Sequence, residues 1–371
     1  MTEDQRWLLE HRFLPLVNRE KPDVILLAGD VYDRSLPPEE AVEVFDWITD
    51  EIVGVRRIPM IIISGNHDSA ERLSVASRLL RSRGLYIFGP DDRLRPVILS
   101  DADGEVAFFP LPYAEPARVR VLLNRLGLEG AEKIKTYEDA EQALSGYVLS
   151  LLPEEKRNLR KICLAHVFAA GGFASESERP LSIGGYDRIS DDVFAPYDYA
   201  ALGHLHRPQK TQASSEKIRY SGSLMRYSFD EVRQKKGVII GEMDGEGRIS
   251  ARFEELLPRF QVRVLEGTFE DLMGDETEAS EDYLQINLTD QSPVIDAMPR
   301  LRKKFPNALG VAQDMGYRED TGERIAELEA MTDEDILSHF VSRFRDHPLT
   351  EEEKELARTV WEEVYREEEK K

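Results

Sequence analysis

Four apolar runs in this sequence each end in side chains that can bind a metal ion or a proton. The runs are VILLAGD (24–30), MIIISGNHD (60–68), KICLAHVF (161–168) and YDYAALGHLHRP (197–208). Runs without apolar–polar alternation are typical of strands that are covered on both faces. Between the first two runs lies SLPPEEAVEVFDWITDEI, in which apolar residues repeat at helical spacing after a serine and two prolines. This strand, helix, strand order predicts a right-handed parallel crossover and an α/β sheet.

The polar residues at the ends of these runs are expected to meet. In open α/β sheets, ligands bind at the carboxyl ends of the strands, and these ends share one edge of the sheet. The residues that this rule brings together are Asp30, Asn66, His67, His166, His204 and His206.

Together these side chains form a mixed oxygen and nitrogen set. Such a set suits Mn²⁺, Fe²⁺ or Zn²⁺ better than Ca²⁺, which prefers oxygen ligands. His204 and His206 are two residues apart on an extended segment, so both side chains point to the same side and form a natural chelating pair. Two metal ions can hydrolyse a phosphodiester if a carboxylate bridges them, and Asp30 is the candidate. His67 could then donate a proton or a hydrogen bond to the phosphate.

Each histidine taken alone has a simpler interpretation. A single histidine after a strand, such as His166, is more often a capping or core residue, and only the combination of GD, GNHD and GHLH is specific for a metal site. His11, His339 and His347 lie on helix or loop patterns without such partners, and we expect them to be surface residues.

Length and composition limit the remaining possibilities. A chain of 371 residues is longer than a single core normally grows, so one large domain with an appended part is expected. No apolar run approaches the roughly 20 residues that span a bilayer, and the acidic N-terminus predicts no secretory signal. A single cysteine, Cys163, fits a reducing cytoplasm. The net charge of −22 argues against nucleic-acid binding through a broadly basic surface, so any such contact must be local or metal-mediated.

Pattern changes along the chain predict three parts. Residues 1–256 form the α/β domain, and KIRYSGS and KGVIIGEMD are expected to close it as antiparallel strands. Residues 257–320 form a small α+β capping unit, with strands at 260–265 and in DYLQINLTD and a short basic helix in VIDAMPRLRKKFPNA. Residues 321–371 form a helical tail, in which Ile336, Phe340 and Phe344 are spaced as on one helix face and Trp361 and Tyr365 follow.

The motifs resemble those of a known family. GDVYDR (29–34), GNHDS (65–69), AHVF (165–168) and GHLHR (203–207) are similar to the successive motifs of calcineurin-like metallophosphoesterases. The loop GGFASESERPLSIGG (171–185) and the segment RYSGSLMRYSFDE (219–231) resemble, more closely, the SbcD-type exonuclease subunits of DNA double-strand-break repair. This similarity covers residues 2 to about 315.

The resemblance implies a fold, an activity and partners. The fold is a metallophosphoesterase β-sandwich flanked by helices. The activity is that of a Mn²⁺-dependent exonuclease and endonuclease on duplex ends and hairpins, in DNA end processing, repair, recombination and replication. The partner is an SMC-like ATPase of the SbcC type, and the family suggests a homodimer within a heterotetramer.

The resemblance also implies a role for each site residue. Asp30 would bridge two metal ions, His67 would act on the phosphate, and Asp33 and Asp68 would orient the ligands. One metal ion would be held by Asn66, His166 and His204, and the other by His206.

One departure from the family concerns the second metal ion. In the family, the chain begins with a strand that ends in an Asp-x-His motif, and this motif supplies the remaining ligands of the second metal ion. This sequence begins at TEDQRWLLE, which resembles the helix after that motif. Either the chain is a shortened form of an ordinary nuclease, or it is a natural variant that has lost catalysis and serves as a scaffold for the ATPase. A small-molecule phosphodiesterase or phosphomonoesterase with the same site is a further alternative.

Two surfaces are candidates for contact with partners. The basic stretch PRLRKKF (299–305) is the best local patch for DNA, and its members are Arg300, Arg302, Lys303 and Lys304. A solvated helix face explains this stretch equally well. The apolar residues of the tail at 332–371 are the candidate contact with the ATPase.

Overall fold

The computed structural model describes residues 2–91, 93–172, 188–211, 216–313 and 350–357, together with 337, 338 and 341. Most of the GGFASESERPLSIGG loop and most of the predicted tail, including its apolar positions and His339 and His347, lie outside these residues. Of the tail, residues 351–357 are helical.

The first sheet is parallel and consists of the strands predicted around the GD and GNHD motifs and one more. Its strands are β1 (Ile25–Ala28), β2 (Met60–Ile63) and β3 (Leu85–Phe88), paired in that order. The helices that precede and connect them are α1 (Thr2–Leu8), α2 (Leu14–Glu20), α3 (Glu39–Thr49), α4 (Ala70–Leu73) and α5 (Ser77–Leu80). A π-helical turn joins α1 to α2, and another extends α3 to Val55.

The second sheet carries the AH and GHLH motifs. Its strands are β4 (Val97–Asp101), β5 (Gly104–Leu111), β6 (Arg160–His166), β9 (Tyr199–Gly203), β10 (Gln209–Lys210) and β11 (Ile218–Tyr220). Between β6 and β9, the short strands β7 (Phe168–Ala169) and β8 (Arg188–Ile189) pair with each other. The order is β10-β11-β9-β6-β5-β4, with the central four strands parallel and the two edge strands antiparallel. The helices α6 (Pro116–Arg125) and α7 (Tyr137–Ser150) lie in the connection from β5 to β6.

The two sheets share a core because side chains alternate along each strand. Ile61 and Ile63 of β2 are fully buried in one cluster with Phe109 and Leu164 of the second sheet. The alternate residue Ile62 packs instead with the buried residues of α3. Residues of α6 and α7 cover the outer face of the second sheet. The result is two sheets between two helical layers, which confirms the predicted α/β sandwich flanked by helices.

One predicted pairing is wrong. The segment KIRYSGS was expected to be antiparallel, but β11 pairs parallel with β9 and is antiparallel only to the two-residue edge strand β10. A three-residue strand has too few side chains for its sequence to indicate direction. The segment KGVIIGEMD does form an antiparallel ribbon, in which β12 (Gly237–Met243) pairs with β13 (Ile249–Glu255).

The residues after 256 have a small core of their own. Strands β14 (Val262–Gly267), β15 (Tyr283–Leu288) and β16 (Ala308–Gln313) form a sheet with α8 (Phe269–Met273) and α9 (Ala297–Leu301) beside it. The predicted basic helix is shorter than expected, because α9 ends at Leu301 and residues 302–304 form a turn. Pro306 keeps the helix from continuing past this turn, since a residue before proline avoids the helical conformation.

The chain divides into one compact unit of Met1–Leu288 with Val294–Ala312 and another of Thr289–Pro293 with Gln313–Lys371. The predicted domain limits at 256 and 320 stay predictions. None of the helices in the described ranges is long and apolar enough to cross a lipid bilayer.

Candidate metal centre

Four strand ends bring four predicted ligands together. Asp30 follows β1, Asn66 follows β2, His166 ends β6 and His204 follows β9. The Nε2 atom of His166 lies 2.9 Å from Oδ1 of Asn66 and 3.2 Å from Oδ2 of Asp30. The Nδ1 atom of His204 lies 3.2 Å from the same Asn66 oxygen. Ligand atoms of Asp30, His166 and His204 all lie within 4.8 Å of one another.

The hydrogen bonds of His166 indicate which of its ring nitrogen atoms carries a hydrogen. Nδ1 of His166 lies 2.8 Å from the carbonyl oxygen of Ala28, which can only accept a hydrogen bond, so Nδ1 carries the hydrogen. In the neutral ring, Nε2 therefore presents a lone pair to two oxygen atoms that also accept. Lone pairs that face one another at these distances repel, and either a proton on Nε2 or a metal ion among them relieves the repulsion. The site thus fits a divalent metal ion, and its mixed oxygen and nitrogen donors suit a transition metal.

Burial and neighbouring charges keep Asp30 and His204 in metal-binding forms, whereas the pKa of His166 is raised, because the nearby carboxylate of Asp30 outweighs the effect of burial. Burial alone would raise the pKa of Asp30, but the nearby ring of His166 and the hydrogen bond from the main chain of His67 hold it well below its usual range. Burial and the neighbouring His166 lower the pKa of His204 to about 3. Asp30 is therefore a carboxylate, and His204 is a neutral imidazole, over the physiological range.

The backbone at the centre is strained at two ligands. Asp30 has a φ of 48° and His204 a φ of 100°, in the left-handed region that residues other than glycine seldom adopt. Such strain persists only where the surrounding structure enforces it, and it is concentrated at functional sites.

His67 lies beside the cluster, and its ring has a fixed orientation. Its Nδ1 donates to the main-chain carbonyl of Asp33 at 2.8 Å, which leaves Nε2 to face away from that loop. Its main-chain N–H donates to Oδ1 of Asp30 at 3.0 Å. The carboxylate of Asp33 is 73% exposed, so the orienting contact of this residue comes from its carbonyl group.

Asp68 ties two of the motif loops together. Its Oδ2 accepts hydrogen bonds from the N–H groups of Val31 and Gly65, and its Oδ1 accepts one from Tyr32. The contacts hold the loop after β1 against the loop after β2, and so hold Asp30 near Asn66.

His206 lies outside the four-residue cluster. Its Nδ1 is 3.1 Å from Oε1 of Glu231, a residue that the sequence did not single out. No pattern in RYSGSLMRYSFDE distinguishes this buried glutamate from an exposed acidic residue.

Tyr113 is a second residue that the sequence analysis missed. It follows the carboxyl end of β5, its ring meets the His166 ring edge-on at 6.4 Å, and its hydroxyl lies 3.2 Å from that of Tyr137. The signal was present, since FFPLPY is another apolar run that ends in a polar side chain.

The predicted DNA-contact residues lie between β15 and β16. Three of the four side chains make local contacts within the part of the chain after residue 256. The guanidinium of Arg300 lies over the Phe269 ring, and Arg302 donates to the carbonyl of Ala308. Lys304 donates to the carbonyls of Leu272 and Gly274 at the end of α8. Lys303 is exposed.

Comparison with known proteins agrees with the geometry. Residues 3–208 match the calcineurin-like phosphoesterase family, and residues 248–344 match a family described as the type 5 capsule protein repressor C-terminal domain. A curated relative, the D subunit of the nuclease SbcCD from Staphylococcus saprophyticus, is 33% identical over 354 residues, which cover 94% of this chain and 90% of the relative. The chain belongs to the SbcD-type calcineurin-like phosphoesterases. The protein of the same name from Staphylococcus epidermidis is 31% identical over 354 residues, covering 95% of this chain and 90% of that relative.

This membership confirms the expected family resemblance and makes the chain a hydrolase of phosphodiester bonds that uses divalent metal ions. The roles of the individual site residues stay predictions. All members of the predicted set belong to the described part of the chain, and Asp30, Asn66, His67, His166 and His204 come together there.

Proposed function

We propose that this chain is the nuclease subunit of an SbcCD-type complex, which hydrolyses phosphodiester bonds of DNA with Mn²⁺ and acts with an SbcC-type ATPase. The relatives that cover most of the chain carry the name of that subunit. The observation that carries the proposal is the convergence of ligand atoms of Asp30, Asn66, His166 and His204 at the ends of four strands, because carboxylate, amide and imidazole groups brought together in this way are the usual ligands of a divalent metal ion.

Each ligand has a defined place in the proposal. Asn66, His166 and His204 would hold one metal ion, His206 would contribute to a second, and Asp30 would be a ligand of both. When bound, divalent metal ions supply the positive charge that polarises a phosphodiester. The donor set favours Mn²⁺ over Ca²⁺, because three of the five ligands are imidazoles.

His67 is the proposed catalytic residue. Its Nδ1 is anchored on the carbonyl of Asp33, so the ring presents Nε2 in a fixed direction. A doubly protonated His67 can donate from Nε2 to a phosphate oxygen, where developing negative charge strengthens the hydrogen bond.

DNA ends and hairpins are the proposed substrates, and the proposed DNA contacts are local. The net charge of −22 disfavours a long run of phosphate contacts. Arg300, Arg302, Lys303 and Lys304 are the proposed basic contacts, and residues 332–371 are the proposed contact with the ATPase. Assembly as a homodimer within a heterotetramer and a location in the cytoplasm complete the proposal.

The test is Mn²⁺-dependent release of nucleotides from a duplex DNA end. We expect His67→Ala to lower the rate by about 10²–10⁴-fold, the usual contribution of a positioned proton donor. His11→Ala is the matched control, because His11 is exposed and its ring hydrogen-bonds to and stacks on Trp7, one helical turn earlier. Equal rates for both variants would contradict the role of His67, and no activity in the unmodified chain would contradict the proposed activity and leave the shortened form and the scaffold as the alternatives.

A further inference from the structure

A buried ion pair lies directly behind His206. The side chains of Glu231 and Lys236 are 0% and 3% exposed, and Oε2 of Glu231 lies 3.2 Å from Nζ of Lys236. Glutamate and lysine are almost never this deeply buried unless they are paired. Both residues come from the segment that joins β11 to β12.

This pair contacts His206 at two places. Oε1 of Glu231 lies 3.1 Å from Nδ1 of the imidazole. The ammonium of Lys236 donates to the main-chain carbonyl of His206 at 2.8 Å, and the N–H of Ser223 donates to the same oxygen at 3.0 Å. The ring and the backbone of one residue are therefore held by opposite members of one ion pair.

Stability alone does not explain why two charges are buried here. Removing a carboxylate and an ammonium from water costs about as much as their attraction returns, so hydrophobic residues of similar volume are often equally stabilising. Fixing one histidine tautomer is a different benefit. A carboxylate that accepts from Nδ1 puts the hydrogen there and leaves the lone pair on Nε2, and this is how carboxylates commonly orient metal-binding histidines.

We propose that Glu231 and Lys236 are positioning residues that fix the tautomer and direction of His206 and thereby set its affinity for a metal ion. The inference rests on the proposed function, in which His206 is a metal ligand. Glu231 acts on the ring, and Lys236 acts on the backbone and on the carboxylate of Glu231. Neither residue needs to touch the metal ion or the DNA.

The test uses the double variant Glu231→Met/Lys236→Met in the full chain. It removes both charges at similar volume, so no unpaired charge stays buried and the protein should fold. The control is Asp101→Asn/Arg160→Met, which removes another ion pair, at 2.6 Å, whose arginine side chain is only 7% exposed. Glu231→Gln is the conservative variant, because it keeps an oxygen that can accept from Nδ1.

Two measurements distinguish a positioning role of Glu231 and Lys236 from a general loss of folding. Long-range ¹H–¹⁵N spectra of metal-free protein at mildly alkaline pH report which nitrogen of His206 carries the hydrogen. We expect Nδ1 in the wild type, in Glu231→Gln and in the control, and a mixture of tautomers in the double variant. Mn²⁺ titration should show affinity reduced by about 10–100-fold in the double variant, with partial recovery in Glu231→Gln.

The outcomes distinguish this inference from the proposed function. A wild-type chain that binds no Mn²⁺ would count against the proposed function. Mn²⁺ binding by the wild type with an unchanged tautomer and affinity in the double variant would overturn the positioning role alone. An equal loss of affinity in the control would also overturn it, because the effect would then follow from any lost ion pair.

Discussion

At the scale of single residues, Gly29 of the GD motif is needed both for its backbone conformation and for the space that it leaves. Gly29 has a φ of 89°, and a Cβ atom at this position would lie 2.2 Å from Nδ1 of His166. That nitrogen donates to Ala28, so the glycine leaves room for the ring that faces Asp30. Any side chain at this position is therefore disfavoured for two independent reasons, the left-handed backbone and the close approach of His166.

Gly29→Ala should weaken metal binding more than it weakens folding. The left-handed backbone costs alanine about 1–2 kcal/mol, and the new methyl group must also displace the His166 ring. Gly130→Ala is a close control, because Gly130 has a φ of 90° and a methyl group added there would meet no atom within 4 Å. Gly29→Ala should lose more stability in urea than Gly130→Ala, because only the former adds a clash to the backbone cost, and only Gly29→Ala should lose Mn²⁺ affinity. Equal Mn²⁺ affinities would contradict the packing argument.

Glu141 gives a prediction about pH. Full burial raises the pKa of Glu141, which lies on α7, well above its usual value, and its Oε1 has no hydrogen-bond partner among the residues that the structure describes. Because the folded pKa exceeds the unfolded one, the folded state favours the protonated form. Stability is complete below the unfolded pKa, near 4.3, and declines as pH rises toward the folded pKa, by about 1.4 kcal/mol per pKa unit of difference.

Glu141→Gln cannot ionise, so it should escape this decline. We expect the unfolding free energy of the variant to approach that of the wild type in acid and to exceed it at neutral pH. Glu132→Gln, at an exposed position, should follow the wild type throughout. Urea titrations between about pH 4 and pH 8 would measure the difference, and a pH-independent difference between Glu141→Gln and the wild type would refute the argument.

At the scale of elements, a hydrogen bond joins the first helix to the sheet of β14, β15 and β16. The hydroxyl of Tyr283 on β15 donates to the carboxylate of Asp4 on α1, which is 6% exposed. The Tyr283 ring also meets the Phe260 ring edge-on at 6.2 Å. The hydrogen bond joins residues that are far apart in the sequence and holds β15 beside α1.

Tyr283→Phe should loosen this attachment and leave the ring contact intact. Losing a hydrogen bond to a charged group should cost about 1–2 kcal/mol. Amide hydrogen exchange should become faster in β14 and β15 and stay unchanged in β5 and β6. Tyr86→Phe on β3 removes a hydroxyl elsewhere and should leave the exchange of β14 and β15 as it was. Faster exchange throughout the chain would indicate a general loss of stability and contradict a local role.

The elements that could be predicted are those whose burial leaves a pattern in the sequence. Strands β2, β6 and β9 are largely buried and β1 is half-buried, so all four appear as apolar runs, and their ligands follow because carboxyl ends share an edge. The direction of β11 and the early end of α9 depend on neighbours and on one proline. Glu231 could not be found in this way, since its burial and its contact with His206 arise only when the segment before β12 folds against the loop after β9.

At the scale of the whole molecule, charge and metal binding work in opposite directions. The net charge of −22 destabilises the compact state through self-repulsion and also repels a polyanionic substrate. At the centre, the oxygen atoms of Asp30 and Asn66 both face Nε2 of His166, which adds local repulsion in a buried place when that ring is neutral. A divalent cation relieves that repulsion only in the folded chain, because the unfolded chain does not hold these ligands together.

Metal ions should therefore stabilise the entire fold against unfolding. A ligand that binds only the native state at about 100 times its dissociation constant adds about 2.7 kcal/mol to the unfolding free energy. We expect Mn²⁺ to raise the thermal midpoint of the chain, EDTA to reverse the rise, and Ca²⁺ to have a smaller effect because three of the ligands are imidazoles. His166→Ala should abolish the Mn²⁺ shift, whereas His11→Ala should preserve it. A Mn²⁺ shift of the same size in His166→Ala would mean that the ion binds elsewhere, and the acceptor cluster would then need another explanation.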